Sequence, residues 1–384
     1  MTILAAILGC CILALVLVDA FNTLVLARRT EHVFRIARAY YRLTWSPFAA
    51  IARRIQARRT REAFLSIYGP LSLLVLFGLW AIGLVLAFGL LQWALRMQPA
   101  SIPGTFWNDL YLSASTLFTL STGDPKNAGS KLIAVIQGGL GLAFLSLVIG
   151  YLPVLYESFS KRELRISLLD ARAGSPPSAG ALLQSAPSTP DRLELQLATW
   201  EEWCAQVLEN QLSFPMLAYF RSQHSNQSWL TALVAMIDCA GVVSLCSKDD
   251  LQRQADFTFA MGRHVLADIA VVFGLMQESP AGQEKNERLP DSEFAKLHQI
   301  IVSRPALFDA RRCSLSNLRS RGNLYEAQAT ALSSYFLMSL PSWISDESRL
   351  DNWRVPVTER EEIPFAVSDP FAASTDDAGA KKES

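Results

Sequence analysis

Charge is scarce in this chain: only 18% of its 384 residues are Asp, Glu, Lys or Arg, while 51% are hydrophobic. Soluble domains average about 25% charged, so the missing polar surface points to lipid or to an unusually large core. Histidine is scarcer still, with His32, His224, His264 and His298 scattered and no H-E-x-x-H pattern. The six cysteines are Cys10, Cys11, Cys204, Cys239, Cys246 and Cys313, with no C-x-x-C pair and none at ligand spacing from a histidine. Zinc sites need such closely spaced pairs, so no metal site is expected, and free thiols in a reducing compartment are. A Gly-rich phosphate loop after a strand and a nucleophile elbow are also missing. No cofactor and no enzyme are therefore expected.

What is there is apolar length. Residues Thr2 to Ala27, Tyr68 to Leu95 and Leu132 to Tyr156 are long and nearly uncharged, and each reaches the roughly 20 residues a helix needs to cross about 30 Å of hydrocarbon. A fourth stretch, Trp229 to Cys246, is shorter and carries Asp238. A carboxylate at mid-membrane costs at least about 2.5 kcal/mol, so this stretch reads as a buried helix of a soluble domain.

Net charge is zero, but it is divided. Up to Tyr156 there are 13 Lys and Arg against 5 Asp and Glu, and beyond it 22 against 30. Most of the basic excess lies between the first two spans, from Arg28 to Glu62. The positive-inside rule makes that loop cytoplasmic. The N-terminus is then outside, residues 97 to 131 face the exterior, and the C-terminal half is cytoplasmic, in a multi-pass protein of the plasma membrane. No Lys or Arg precedes the first apolar run, and Arg28-Arg29 follows it as a stop-transfer flank, so a retained helix is expected rather than a signal peptide.

Between the second and third spans, Phe106 to Leu117 is enough for about three helical turns, too short to cross a bilayer. Thr119 to Asp124 follows as a non-helical stretch, and lipid cannot solvate such backbone, so at membrane depth it must be buried in protein or line a watery path. The order of span, half-helix, polar strand and span over residues 68 to 157 resembles the potassium-channel pore module with two transmembrane helices, the ion channel or ion transport 2 domain family. The family's strand reads T-V-G-Y-G-D, and this chain has Thr119, Leu120, Ser121, Thr122, Gly123 and Asp124.

Ser121 stands where the family has its first Gly, and Thr122 where it has the Tyr that braces the strand. The resemblance implies a degenerate filter, either less rigid or with Ser and Thr hydroxyls facing the ion path, and it leaves the selectivity open. It further implies an all-α membrane protein, a permeant monovalent cation, K+ by family precedent, and a homotetramer, since one strand cannot surround an ion. A non-conducting channel-like scaffold or membrane-anchored sensor, and a membrane-anchored enzyme seated in residues 191 to 345, are the other functional readings of the same sequence.

The third span carries Gly139, Gly141 and Pro153, where inner helices of this family have a flexible glycine or a bend. Hinge and close packing both fit the two glycines. In the first span, Asp19 lies about two and a half turns from Arg28 and reads as an interfacial pairing. The basic loop mixes arginines with Tyr40, Tyr41, Trp45 and Phe48, which suits helices on an anionic lipid surface; docking on the acidic C-terminal half is the alternative. Its membrane flanks argue against nucleic acid.

The expected organisation is an N-terminal transmembrane helix over 1–27, a basic interfacial segment over 28–63, the pore module over 64–160, a linker over 161–190 whose first part continues the third span as a helix to Ala173 before Gly174-Ser175-Pro176-Pro177 stops it, a helical cytoplasmic domain over 191–356 with an unidentified ligand or partner, and a disordered tail over 357–384. Helices are expected around 228–246, 251–277, 291–302 and 323–339. Arg221, His224 and Asn226 read as a hydrogen-bonded turn with Asn226 or Ser228 capping the next helix, or else as a ligand site.

Overall fold

The computed structural model describes residues 2–24, 36–96, 105–120, 127–223, 226–275 and 288–344. Every regular element among them is helical. The expected tail and the expected filter residues Ser121, Thr122, Gly123 and Asp124 lie outside the described residues, as does His224.

Among the described residues, four helices are long and apolar enough to cross a membrane. Three of them form the layer that positions the candidate site. Helix α1 (Thr2–Leu24) runs antiparallel along α3 (Arg58–Arg96). Its early residue Gly9 lies against the Ala87 carbonyl, and its late residue Asp19 meets Trp80. The third helix, α5 (Ala128–Ala173), has 46 residues and is therefore about 69 Å long, over twice the thickness of hydrocarbon.

Asp19 is buried and its partners are on the page. Its carboxylate accepts the Trp80 indole N–H at 2.9 Å and the backbone N–H of Ala37 at 3.2 and 3.3 Å. Ala37 belongs to the first turn of α2 (Ile36–Arg54), whose N–H groups have no partner within the helix. Asp19 thus caps α2 and ties it to α1 and α3, a structural role; Arg28 lies outside the described residues.

The aromatic face of α2 turns toward protein. Trp45 is 4% exposed, donates its indole N–H to the Tyr335 carbonyl at 3.0 Å, and packs on Tyr68 and Tyr219 with ring centroids 4.9 and 5.0 Å away. Docking on the C-terminal half is what the structure contains, and Trp45 is unavailable to an interface with lipid. The reason is burial: these rings reach neighbours from α3 and the C-terminal helices at once, which a lipid surface does not offer.

That C-terminal half comprises α6 (Ala179–Gln184), α7 (Pro190–Ser213), a 3-10 turn Pro215–Tyr219, α8 (Trp229–Cys246), α9 (Asp249–Val272), α10 (Asp291–Val302), α11 (Leu315–Gly322) and α12 (Glu326–Phe336). Helix α8 is its axis: 94% of its apolar window is buried inside the protein. The side chain of Ser228 caps it by accepting the Thr231 N–H at 3.0 Å. Its Asp238 is neutralised by Arg288 at 2.7 Å and hydrogen-bonded by the Tyr325 hydroxyl, which explains an acidic residue on so apolar a helix.

Two expectations are corrected. Helix α5 runs to Ala173 and stops at Gly174, whose φ is +73°, as read from the sequence, but the stretch beyond it is not all linker, because Ala179, Leu182 and Leu183 of α6 are fully buried in the core. Apolar residues in so short a helix carry too little periodicity to reveal it. Nor are all thiols free: Cys246 at the end of α8 and Cys313 form a disulfide with Cα atoms 5.0 Å apart. They are 67 residues apart in sequence, so only the tertiary fold brings them together. Cys10, Cys11, Cys204 and Cys239 are free.

Candidate functional site

Helix α4 (Phe106–Leu117) is the half-helix expected from the sequence, and it is held between α3 and α5 by buried polar side chains. Ser113, fully buried, donates its hydroxyl to the Val85 carbonyl of α3 at 2.8 Å. From the other side Gln137 of α5, also fully buried, donates to the Ser113 carbonyl and hydroxyl oxygens, both at 2.7 Å. Gln92 of α3 reaches the Ser130 carbonyl of α5 at 3.2 Å. Asn127 caps α5 by accepting the Ser130 N–H at 2.7 Å. In an apolar layer such hydrogen bonds define one register, because a slipped helix would leave each amide unpaired.

Neither Gln92 nor Gln137 stood out in the sequence. The signal was present: a lone amide inside an apolar span needs a partner.

The C-terminus of α4 has a defined geometry. Thr119 donates its N–H to the Thr116 carbonyl at 3.2 Å and Leu120 to the Ser115 carbonyl at 2.8 Å. This pair of bonds is the Schellman arrangement, in which the residue after the cap adopts the left-handed conformation, usually as Gly. Here that residue is Thr119, with φ +60°. A β-branched residue there costs about 1–2 kcal/mol, and strain of this kind collects at functional segments. Leu120 is 69% exposed.

Gly141 and Gly139 separate in role. A Cβ on Gly141 would sit 2.3 Å from the Leu117 carbonyl oxygen at the end of α4, whereas one on Gly139 would meet nothing within 4 Å. Gly141 is a packing position that lets the two backbones touch. Helix α5 passes through Gly139, Gly141 and Pro153 without interruption. Only 11% of its apolar window is buried within the chain.

The C-terminal half offers two further polar groupings. Arg221 donates to the carbonyls of Phe336 and Leu337 and lies 3.5 Å from Glu62; it closes the end of α12, so the structural reading of that turn holds for this residue. A cavity of about 150 Å³ is lined by Arg288, Arg319, Glu326 and Trp343 among others. Burial pushes the Arg288 guanidinium down, but Asp238 beside it, with Tyr325 and Glu326, lifts it above the ordinary arginine range. Burial and the Asp238 charge likewise raise the Tyr325 hydroxyl. Both shifts favour the protonated forms of Arg288 and Tyr325 beside Asp238. Burial, with Glu201 adding, pushes the Cys204 thiol up to about 12, so it is no nucleophile.

Among the described residues no group of three His, Cys, Asp or Glu side chains is placed to hold a metal ion. Comparisons with protein-family models, with curated proteins and with solved structures found no match for this chain.

Proposed function

We propose that the chain is the pore-forming subunit of a homotetrameric cation channel of potassium-channel type, with Thr119 to Asp124 as its filter. The observation that carries this reading is a 12-residue half-helix, clamped by Ser113 and Gln137 between two long apolar helices and ending in a left-handed Thr119. A helix too short to span has little use in an apolar layer except to aim its terminus. The C-terminus bears partial negative charge, which favours a cation at the end of α4.

The bare flank of α5 supports assembly, because a pore needs several copies of one loop around an axis. The layer's two ends support the topology: the N-terminus of α1 and the start of α4 lie at one end of α3, while α2 and the C-terminal helices lie at the other. In this reading the basic α2 and the C-terminal domain are cytoplasmic and the N-terminus is outside, in a plasma membrane.

The test is potassium and sodium flux through the purified full chain in liposomes, with Gly123→Pro as control. Flux that the control abolishes is the expected result. An intact tetramer that passes neither ion under activating and resting conditions would overturn conduction and leave the scaffold reading. The double variant Ser121→Gly with Thr122→Tyr is expected to raise potassium over sodium discrimination, by restoring backbone freedom and the aromatic brace. An unchanged ion ratio in a conducting double variant would show that this segment is not the filter.

A further inference from the structure

The cavity of about 150 Å³ in the C-terminal half lies where four stretches of chain converge. Arg288 comes from ahead of α10, Arg319 and Ser320 from α11, Asn323 and Glu326 from the turn into α12, and Trp343 from beyond α12. A cavity of this size accommodates a molecule of about six heavy atoms.

Some of its charge is already matched within the protein. Arg288 holds Asp238 at 2.7 Å and the Pro341 carbonyl at 3.0 Å. Arg319 donates to the Leu289 carbonyl at 3.0 Å and pairs with Asp291 at 2.8 Å, but Asp291 is 83% exposed and solvent screens that pair. The Glu326 carboxylate lies 3.8 Å from Arg288, beyond hydrogen-bond distance. With Asp238 balancing Arg288, Arg319 and Glu326 remain as walls of opposite charge.

Trp343 is held rigidly among them. The backbone N–H groups of Trp343 and Ile344 donate to the Glu293 carboxylate at 2.9 and 3.3 Å, and the Trp343 carbonyl accepts the Gly180 N–H at 2.8 Å. Its side chain is buried, yet its indole N–H has no acceptor. Leaving a buried donor unpaired costs about 1–3 kcal/mol, and an orphan of this kind in a lining residue points to a partner from outside the chain.

We propose that the cavity binds a small zwitterion of amino-acid size, its carboxylate meeting the Arg319 guanidinium and the Trp343 N–H and its ammonium meeting Glu326. A simple anion would face the Glu326 charge, a simple cation would face Arg319, and an apolar molecule would leave the indole N–H unpaired. A zwitterion satisfies all three. The site lies in the C-terminal half and does not depend on conduction.

The test is thermal unfolding of the full chain in detergent with glycine, L-alanine, L-serine, acetate or ethylamine added separately, then equilibrium dialysis of the radiolabelled compound that stabilises it most. At least one zwitterion is expected to raise the melting temperature, and the two singly charged compounds are not. Trp343→Phe should weaken binding about tenfold, the worth of one hydrogen bond to a charged group. Trp203→Phe should leave binding unchanged, since its buried indole N–H also lacks an acceptor but it is not a lining residue. Glu326→Gln should lose the preference for zwitterions and admit acetate. A panel in which no zwitterion stabilises the protein would overturn the site. Acetate stabilising the wild type as much as the zwitterions would overturn the ligand class, and equal affinity in wild type, Trp343→Phe and Glu326→Gln would place the binding elsewhere.

Discussion

Adding one methyl group at Gly141 tests whether α4 rests on α5 as described. The Cβ of Gly141→Ala would lie 2.3 Å from the Leu117 oxygen, 3.1 Å from its carbonyl carbon and 3.2 Å from its Cα. Non-bonded heavy atoms prefer about 3.5 Å, so the two helices must separate by roughly 1 Å. The neighbour is backbone and has no rotamer to change, which places the cost at the upper end of the 1–3 kcal/mol range for overpacking, about 3 kcal/mol. Alanine returns about 1 kcal/mol through its better helix propensity. The net loss is about 2 kcal/mol.

Gly138→Ala is the matched control, since its nearest neighbour would be the Thr116 methyl at 4.0 Å and only the propensity gain applies. Thermal unfolding in detergent reads the difference. At roughly 2 °C per kcal/mol for a chain of this length, Gly141→Ala should melt about 6 °C below Gly138→Ala. In the proposed channel, flux should fall with it, because the shifted end of α4 carries Thr119. A Gly141→Ala protein as stable as the control would refute the contact. A flux change in Gly139→Ala, where no protomer atom is within 4 Å, would instead report contact between copies or lost bending.

Three further outcomes are expected. Trp45→Ala should cost about 3–5 kcal/mol of packing and raise hydrogen exchange along α2 by about 10²- to 10⁴-fold, while Trp45→Phe, losing mainly the bond to Tyr335, should cost about 1 kcal/mol; unchanged protection in Trp45→Ala would sink the docking of α2. Asp238→Leu should lose about 3–5 kcal/mol in denaturant unfolding, because it strands a buried Arg288, and adding Arg288→Met should recover most of that. If the double variant is no more stable than the single, the buried pair is not what makes Asp238 necessary. Finally, maleimide labelling of the unreduced chain in SDS should count four thiols, those of Cys10, Cys11, Cys204 and Cys239, whereas six would mean that Cys246 and Cys313 are reduced.

By itself the sequence determined the helical class, the placement of the apolar helices and the half-helix ahead of Thr119, and it narrowed the cap of α8 to Asn226 or Ser228. Each follows from local quantities: a run of uncharged residues, a 3.6-residue period, or a hydroxyl at a cap. It also assigned Trp229 to Cys246 to the protein interior, because one carboxylate is too costly in lipid. The tertiary structure alone decided what each polar exception pairs with. Asp19 faces Trp80 and the N-terminus of α2, Gln137 faces Ser113, Asp238 faces Arg288, and Cys246 meets Cys313. Those partners are 18 to 67 residues apart. Gly139 and Gly141 make the same point within one helix. Two residues apart and chemically identical, they differ only in that Leu117 of another helix approaches one of them, and a contact of that kind has no trace in local sequence.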